Sequence, residues 1–154
     1  MSTQTYSRVD TEPFARLLRA HAAVVRELSA ELEAEHGLTI NDYEVLLRLS
    51  HADGRMMRRV DLAAEVLLSP SGITRLLQGL ERAGWVEKAN CETDARVSYA
   101  KLTDAGTTKL RAAAKTHVAG IRRVFLDLFD EGERETLVEL LGRIDAGGET
   151  CTPE

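Results

Sequence analysis

The stretch Ser69-Pro70-Ser71-Gly72-Ile73-Thr74-Arg75-Leu76-Leu77-Gln78-Gly79-Leu80-Glu81-Arg82-Ala83-Gly84-Trp85-Val86 decides how the rest of the chain is read. Ser69 followed by proline supplies an N-cap and a first-turn residue whose missing N–H costs a helix nothing. Gly84 is placed to close the other end in a left-handed conformation, so the spacing predicts a helix over 69–83. On it, Ile73, Leu76, Leu77 and Leu80 fall on one face, while Ser71, Thr74, Arg75, Gln78 and Arg82 fall on the opposite one by 3.6 periodicity. The first face packs. The second carries groups suited to base edges: arginine grips guanine bidentately, glutamine pairs with adenine, and small hydroxyls let a helix come close. Most surface helices have a polar outer face, so the neighbouring segments must decide its use.

Before this helix, Val60 to Leu67 reads as a short helix with Leu62, Ala63 and Val66 inward, joined to the next by a tight turn. After it, Trp85-Val86 and Val97 to Leu102 carry residues suited to strands, with the polar run Ala89 to Arg96 as a hairpin loop between them. Lys88, Arg96 and Lys101 bracket that loop, which is longer than a two-residue turn and can reach a minor groove. Asp94, two residues before Arg96, is placed to orient its guanidinium through a charge-assisted bond. Helix, tight turn, helix and hairpin together form the layout of a winged helix-turn-helix, whose second helix enters the major groove. The backbone N–H groups after Ser69 are also placed to hold a phosphate.

Farther out, a helix opens near Thr11 with Pro13 in its first turn, repeats Phe14, Leu17, Leu18, Ala22, Val25, Leu28 and Leu32, and ends at Gly37. Thr39 with Asp42 makes a capping box for a second helix carrying Tyr43, Leu46, Leu47 and Leu49 to about Ala52. Thr103 caps a long helix through Leu110, Ala114, His117, Ile121, Val124, Phe125 and Leu128. Asp130 to Gly132 then breaks the pattern, Leu137, Leu140, Leu141 and Ile144 line a last helix, and the tail from Gly147 reads as frayed. The fold class is mainly α with a small β-hairpin wing. The expected division is a winged helix-turn-helix DNA-binding domain over 39–103 and a helical dimerisation region over 10–36 and 104–146. The stripes Phe14 to Leu32 and Leu110 to Leu128 are incompletely covered by so small a head, and pairing two copies buries both.

Composition removes other classes. At 154 residues, 44% hydrophobic and 29% charged, the chain can bury a core and is not a long multidomain enzyme. No apolar stretch approaches the roughly 20 residues that span a bilayer, and Met1 to Asp10 is polar with no signal-peptide segment, so a cytoplasmic protein without membrane contact is expected. Nucleophile elbow, phosphate-cradling glycine loop and H-E-x-x-H are all missing, so catalysis is not expected. The distant Cys91 and Cys151 offer neither a disulfide framework nor a metal site, and no cofactor is expected. Net charge is -5, yet the segment Arg55 to Lys101 has eight basic and six acidic residues, a balance of +2 that leaves -7 on its flanks. The middle is the only net-basic part.

The runs Ser69 to Arg75 and Leu80 to Val86, then Asp94-Ala95-Arg96 and Leu102-Thr103-Asp104-Ala105-Gly106, resemble the MarR family of bacterial transcription regulators. Each motif alone is weak, whereas their joint order and spacing are specific, and the flanking helices agree in number and order. The resemblance implies a homodimer whose first and last two helices intertwine and hold two winged heads over a pseudo-palindromic operator in double-stranded DNA. It places Ser71, Thr74, Arg75 and Gln78 on the recognition helix, Arg96 on the wing-tip arginine and Asp94 on the acid that supports it. Ser69, Arg82 and Lys88 complete the candidate DNA-binding set.

The family often senses aromatic or phenolic compounds between the dimer helices and the head, and His21 and Tyr43 lie on helices that border such a pocket. Either can equally be a packed residue. His117 is placed to titrate near neutral pH. The reading is thus a homodimeric repressor released from its operator by a small ligand, with aromatic and phenolic compounds as the candidates the resemblance offers. The alternatives are a thiol-based oxidant-responsive regulator using Cys91 in the wing loop, and a winged-helix protein-interaction module, which the -5 charge favours.

Overall fold

The computed structural model describes residues 8–90, 93–94 and 96–144, with side chains from Thr11 onward. Cys91, Cys151, positions 145–146 of the expected dimerisation region and the tail from Gly147 lie outside these residues. The elements run α1 (Arg8–His36), α2 (Ile40–His51), a 3-10 turn (Asp53–Arg55), β1 (Met56–Arg58), α3 (Arg59–Glu65), α4 (Pro70–Arg82), β2 (Val86–Asn90), β3 (Ser98–Leu102), α5 (Asp104–Val124), a second 3-10 turn (Leu126–Leu128) and α6 (Glu131–Gly142).

The helix boundaries follow from capping chemistry. Before α2, Thr39 Oγ1 accepts the Asp42 N–H at 3.1 Å and the Asp42 carboxylate accepts the Thr39 N–H at 2.8 Å, so two orphan donors are satisfied reciprocally. Asp130, read above as a break, does the same with Glu133 and opens α6. The long helix stops at Val124, short of the expected Leu128, because Phe125 (φ -138, ψ -65) leaves helical space. Arg134 Nε then donates to the Leu126 carbonyl at 2.9 Å, tying α6 to that turn.

The sheet differs from the expected two-stranded hairpin. It has three antiparallel strands in the order β1-β3-β2, with Met57 opposite Ala100 and Val86 opposite Leu102. β3 is therefore central, and β1 satisfies the edge that the hairpin leaves open. The chain reaches β1 through Gly54 (φ 62) and Arg55 (φ 57), and the Arg55 guanidinium is anchored to Asp104 at 3.0 Å and Thr107 at 3.1 Å.

One buried cluster runs through the head. Ile73, Leu77 and Leu80 of α4 meet Leu62 of α3, Leu46 and Leu49 of α2, and Ala100 and Leu102 of β3. It continues into Leu32 of α1 and Leu110 and Ala113 of α5, so the long helices supply part of the head's own core. Each fully buried leucine contributes about 1.5–3 kcal/mol relative to exposure. Where α1 crosses α5, a Cβ on Gly120 would lie 2.5 Å from Glu31 Oε2 and 2.8 Å from Leu28 Cδ2. A side chain at this position would have to displace the ends of the Glu31 and Leu28 side chains.

Candidate nucleic-acid interface

The fixed placement of α4 begins at its ends. Ser69 Oγ accepts the Gly72 N–H at 3.1 Å. At the other end the Trp85 N–H reaches the Leu80 carbonyl and the Gly84 N–H the Glu81 carbonyl, both at 3.0 Å, with Gly84 at φ 78. This double closure requires the left-handed residue at Gly84. Between the ends, Ile73, Leu77 and Leu80 are buried, while Ser71, Thr74, Arg75, Gln78 and Arg82 are exposed, as is Ser69. The expected phosphate cradle is narrower than the sequence suggests. Pro70 has no N–H and Gly72 spends its own on Ser69, which leaves the Ser71 N–H in the first turn. Thr74 Oγ1 donates to the Pro70 carbonyl at 2.8 Å, so toward a groove it offers lone pairs and a methyl group.

The wing is fixed at its root. Thr103 caps α5 by accepting the Gly106 N–H at 3.0 Å, donates through Oγ1 to the Gly84 carbonyl at 2.7 Å, and donates its N–H to the Trp85 carbonyl at 3.1 Å. Lys109 Nζ stands 4.8 Å from the centre of the Trp85 ring. The two motifs Gly84-Trp85 and Leu102 to Gly106, separate in sequence, are thus partners in space. Lys88 and Arg96 are exposed on the wing. Asp94 Oδ1 accepts the Arg96 backbone N–H at 2.9 Å, and the Val97 N–H meets the Asp94 carbonyl at 3.1 Å. Asp94 thus bonds to the backbone of Arg96 and Val97, and among the described residues no bond holds the Arg96 guanidinium.

Ion pairing sorts the eight basic residues of the middle segment into two groups. Arg55 pairs with Asp104 at 3.0 Å, Arg58 with Asp61 at 2.7 Å, Lys101 with Glu87 at 3.5 Å, and Arg59 with Glu81. Arg75, Arg82, Lys88 and Arg96 have no acidic partner among the described residues, and all four are exposed. The unneutralised cations are those of the outer face of α4 and of the wing. The pairing of Arg59 with Glu81, 22 positions apart, escapes the sequence reading because neither local spacing nor helix periodicity brings these residues together.

The remaining candidates separate. His21 is exposed on α1, whereas Tyr43 is only 7% exposed and its ring centre lies 4.5 Å from that of His117 on α5. Burial raises the Tyr43 pKa and lowers that of His117, the latter opposed by the Glu44 carboxylate. His117 Nδ1 is buried without a hydrogen-bond partner. Cys91 lies outside the described residues. Among those residues no cluster of metal-ligating side chains occurs, and no helix is long and apolar enough to cross a membrane.

A family model described as MarR family matches residues 36–97. The crystal structure of AbsC, a MarR family transcriptional regulator from Streptomyces coelicolor, matches with a TM-score of 0.84 at 33% identity, covering 94% of this chain and 97% of that one. The chain belongs to the MarR family. This MarR-family protein is also 27% identical over 130 residues to the uncharacterized HTH-type transcriptional regulator YdgJ of Bacillus subtilis, a match spanning 84% of this chain and 77% of that protein. The structure of Sco3205, a MarR family regulator from Streptomyces coelicolor in complex with DNA, has the same fold, with a TM-score of 0.84 at 24% identity over 94% of both chains. These MarR relatives are transcription regulators, not enzymes.

Proposed function

We propose that this MarR-family protein is a sequence-specific DNA-binding transcription regulator, acting as a homodimeric repressor that a small ligand releases from a pseudo-palindromic operator. The observation that carries the reading is the pairing pattern: half of the basic residues in the middle segment are neutralised by acids of the head or the start of α5, and the other half, Arg75, Arg82, Lys88 and Arg96, have no acidic partner among the described residues and stand exposed on α4 and the wing. Cations kept clear of carboxylates are what counterion release from phosphates requires, despite a net charge of -5. Arg75 and Gln78, one turn apart and exposed, suit base edges, with Ser71 and Thr74 beside them. Arg96 and Lys88 suit the adjacent minor groove and backbone, Arg82 and Ser69 the phosphates.

The dimer is supported by apolar side chains left in solvent at both ends of the chain: Phe14 is 64%, Val138 74% and Ile144 72% exposed. Large apolar side chains this exposed on α1 and α6, and at Ile144 just beyond α6, suit a surface that a second copy covers. Two heads about 34 Å apart then meet successive major grooves. An effector would act where α2 meets α5, beside Tyr43 and His117, since a ligand preferring one head spacing shifts the population away from the other. Cytoplasmic location follows from this role.

The test is a fluorescence-anisotropy titration against duplexes that the protein itself enriches from a random pool, at two salt concentrations. With Arg82, Lys88 and Arg96 of each head directed at the backbone and minor groove, affinity should fall steeply as salt rises. Weak, salt-independent binding would instead favour a winged-helix protein-interaction module.

A further inference from the structure

Arg59 opens α3 and Glu81 stands in the last turn of α4, and Arg59 Nη2 donates to Glu81 Oε1. Their side chains are 17% and 21% exposed, and no other ion pair among the described residues has both partners so withdrawn. Arg59 Nε is buried with no partner of its own, so the seclusion is accepted at a cost. Each residue also occupies the helix end that disfavours its charge, a cation at an N-terminus and an acid at a C-terminus. The pair therefore does not serve the helices that carry it. α3, with seven residues, is too short to hold its own direction, and the link to Glu81 joins it to the helix that carries Arg75 and Gln78.

We propose that Arg59 and Glu81 are positioning residues for DNA recognition. The pair sets the angle of α4 against α3, and with it the register of Arg75 and Gln78 against base edges. It also cancels a carboxylate that would otherwise stand unpaired one turn beyond Gln78. The inference rests on the DNA-binding reading above and deepens it.

Two measurements separate positioning from stability. In the variant Arg59→Met with Glu81→Leu, apolar side chains replace the pair. Such replacements keep or raise stability in other folds, so the urea midpoint should stay at or above that of the wild type. The ratio of affinities for an enriched duplex over its scrambled counterpart should nevertheless fall about tenfold, the size of one lost base contact. Arg59→Lys, which keeps the charge, should recover most of that ratio. The salt slope should not change in either variant, since no phosphate contact is removed. A folded apolar variant with the wild-type ratio, or one that loses affinity equally on both duplexes, overturns the proposal. Should the apolar variant not fold, Glu81→Gln, which keeps shape and an acceptor, must lower the ratio, and an unchanged ratio there overturns the proposal as well. A wild-type protein that enriches no duplex overturns the DNA-binding reading itself, a different result from any of these.

Discussion

Replacing a single hydrogen by a methyl group should have opposite consequences at two glycines of this chain, and the structure gives the size of each. A Cβ added at Gly79, inside α4, meets nothing within 4 Å. Only the helix propensity then changes, which favours alanine by about 1 kcal/mol. A Cβ added at Gly106, in the first turn of α5, would stand 2.1 Å from the Trp85 carbonyl oxygen and 2.7 Å from Leu102 Cδ1. Restoring ordinary contact moves the start of α5 by roughly 1 Å against backbone that cannot yield alone, an overpacking cost of about 1–3 kcal/mol. The same movement pulls Thr103 from the Gly84 and Trp85 carbonyls, two hydrogen bonds of about 1 kcal/mol each. Gly106→Ala should therefore lose about 3–5 kcal/mol in all. Thermal and urea unfolding, followed by circular dichroism at one fixed protein concentration, reads both variants. One kcal/mol corresponds to about 2–4 °C in a chain of this size, so Gly79→Ala should melt a few degrees above the wild type and Gly106→Ala well below it. A Gly106→Ala protein melting with the wild type, or a Gly79→Ala protein melting below it, would refute the reasoning.

Other outcomes follow from single positions. Leu67, in the turn between α3 and α4, holds φ 54 while 91% exposed; Leu67→Gly removes a left-handed penalty of roughly 1–2 kcal/mol, only partly offset by glycine's entropy, so the unfolding midpoint should rise. Arg75→Ala should reduce the preference for an enriched duplex over a scrambled one by about 1–3 kcal/mol, whereas Arg96→Ala should weaken both more evenly; equal losses on both duplexes for Arg75→Ala would sink the base-reading role. Burial holds His117 below its ordinary value of 6.5, with Glu44 opposing. The unfolded chain then takes up its proton first, and this group's contribution to stability is complete above pH 6.5 and lost as pH falls toward the lower folded value. His117→Gln should flatten that limb, measured by urea midpoints between about pH 7.5 and about pH 5.5; an equally steep limb would exclude His117 as its source.

What could be read in advance was local. Thr39, Ser69, Gly84 and Thr103 announce helix ends because caps and left-handed closures are chemistry within a few residues, and each does its expected job here. The apolar period of α4 likewise separates buried from exposed side chains. Asp130 reads as a break in the sequence yet caps α6 in the structure, since an N-cap and a break look alike until Glu133 is seen to return its bond. β1 had no local signal at all. Met56–Arg58 is too short to alternate, and it is a strand only because β3 offers it an edge. The same limit governed the interface: composition counts eight cations in the middle segment, but which are spent depends on contacts such as Arg55 with Asp104, 49 positions away. Periodicity could not tell that His21 faces solvent and His117 faces Tyr43.

The knot at the wing root also has a mechanical meaning. Since Thr103 donates to the carbonyls of both Gly84 and Trp85, Gly106 packs directly against the latter, and Lys109 leans on the indole, the root of the prong and the long strut behind it form one stiff bracket. A tilt of that strut is therefore expected to carry the root of the prong with it, through the bonds of Thr103.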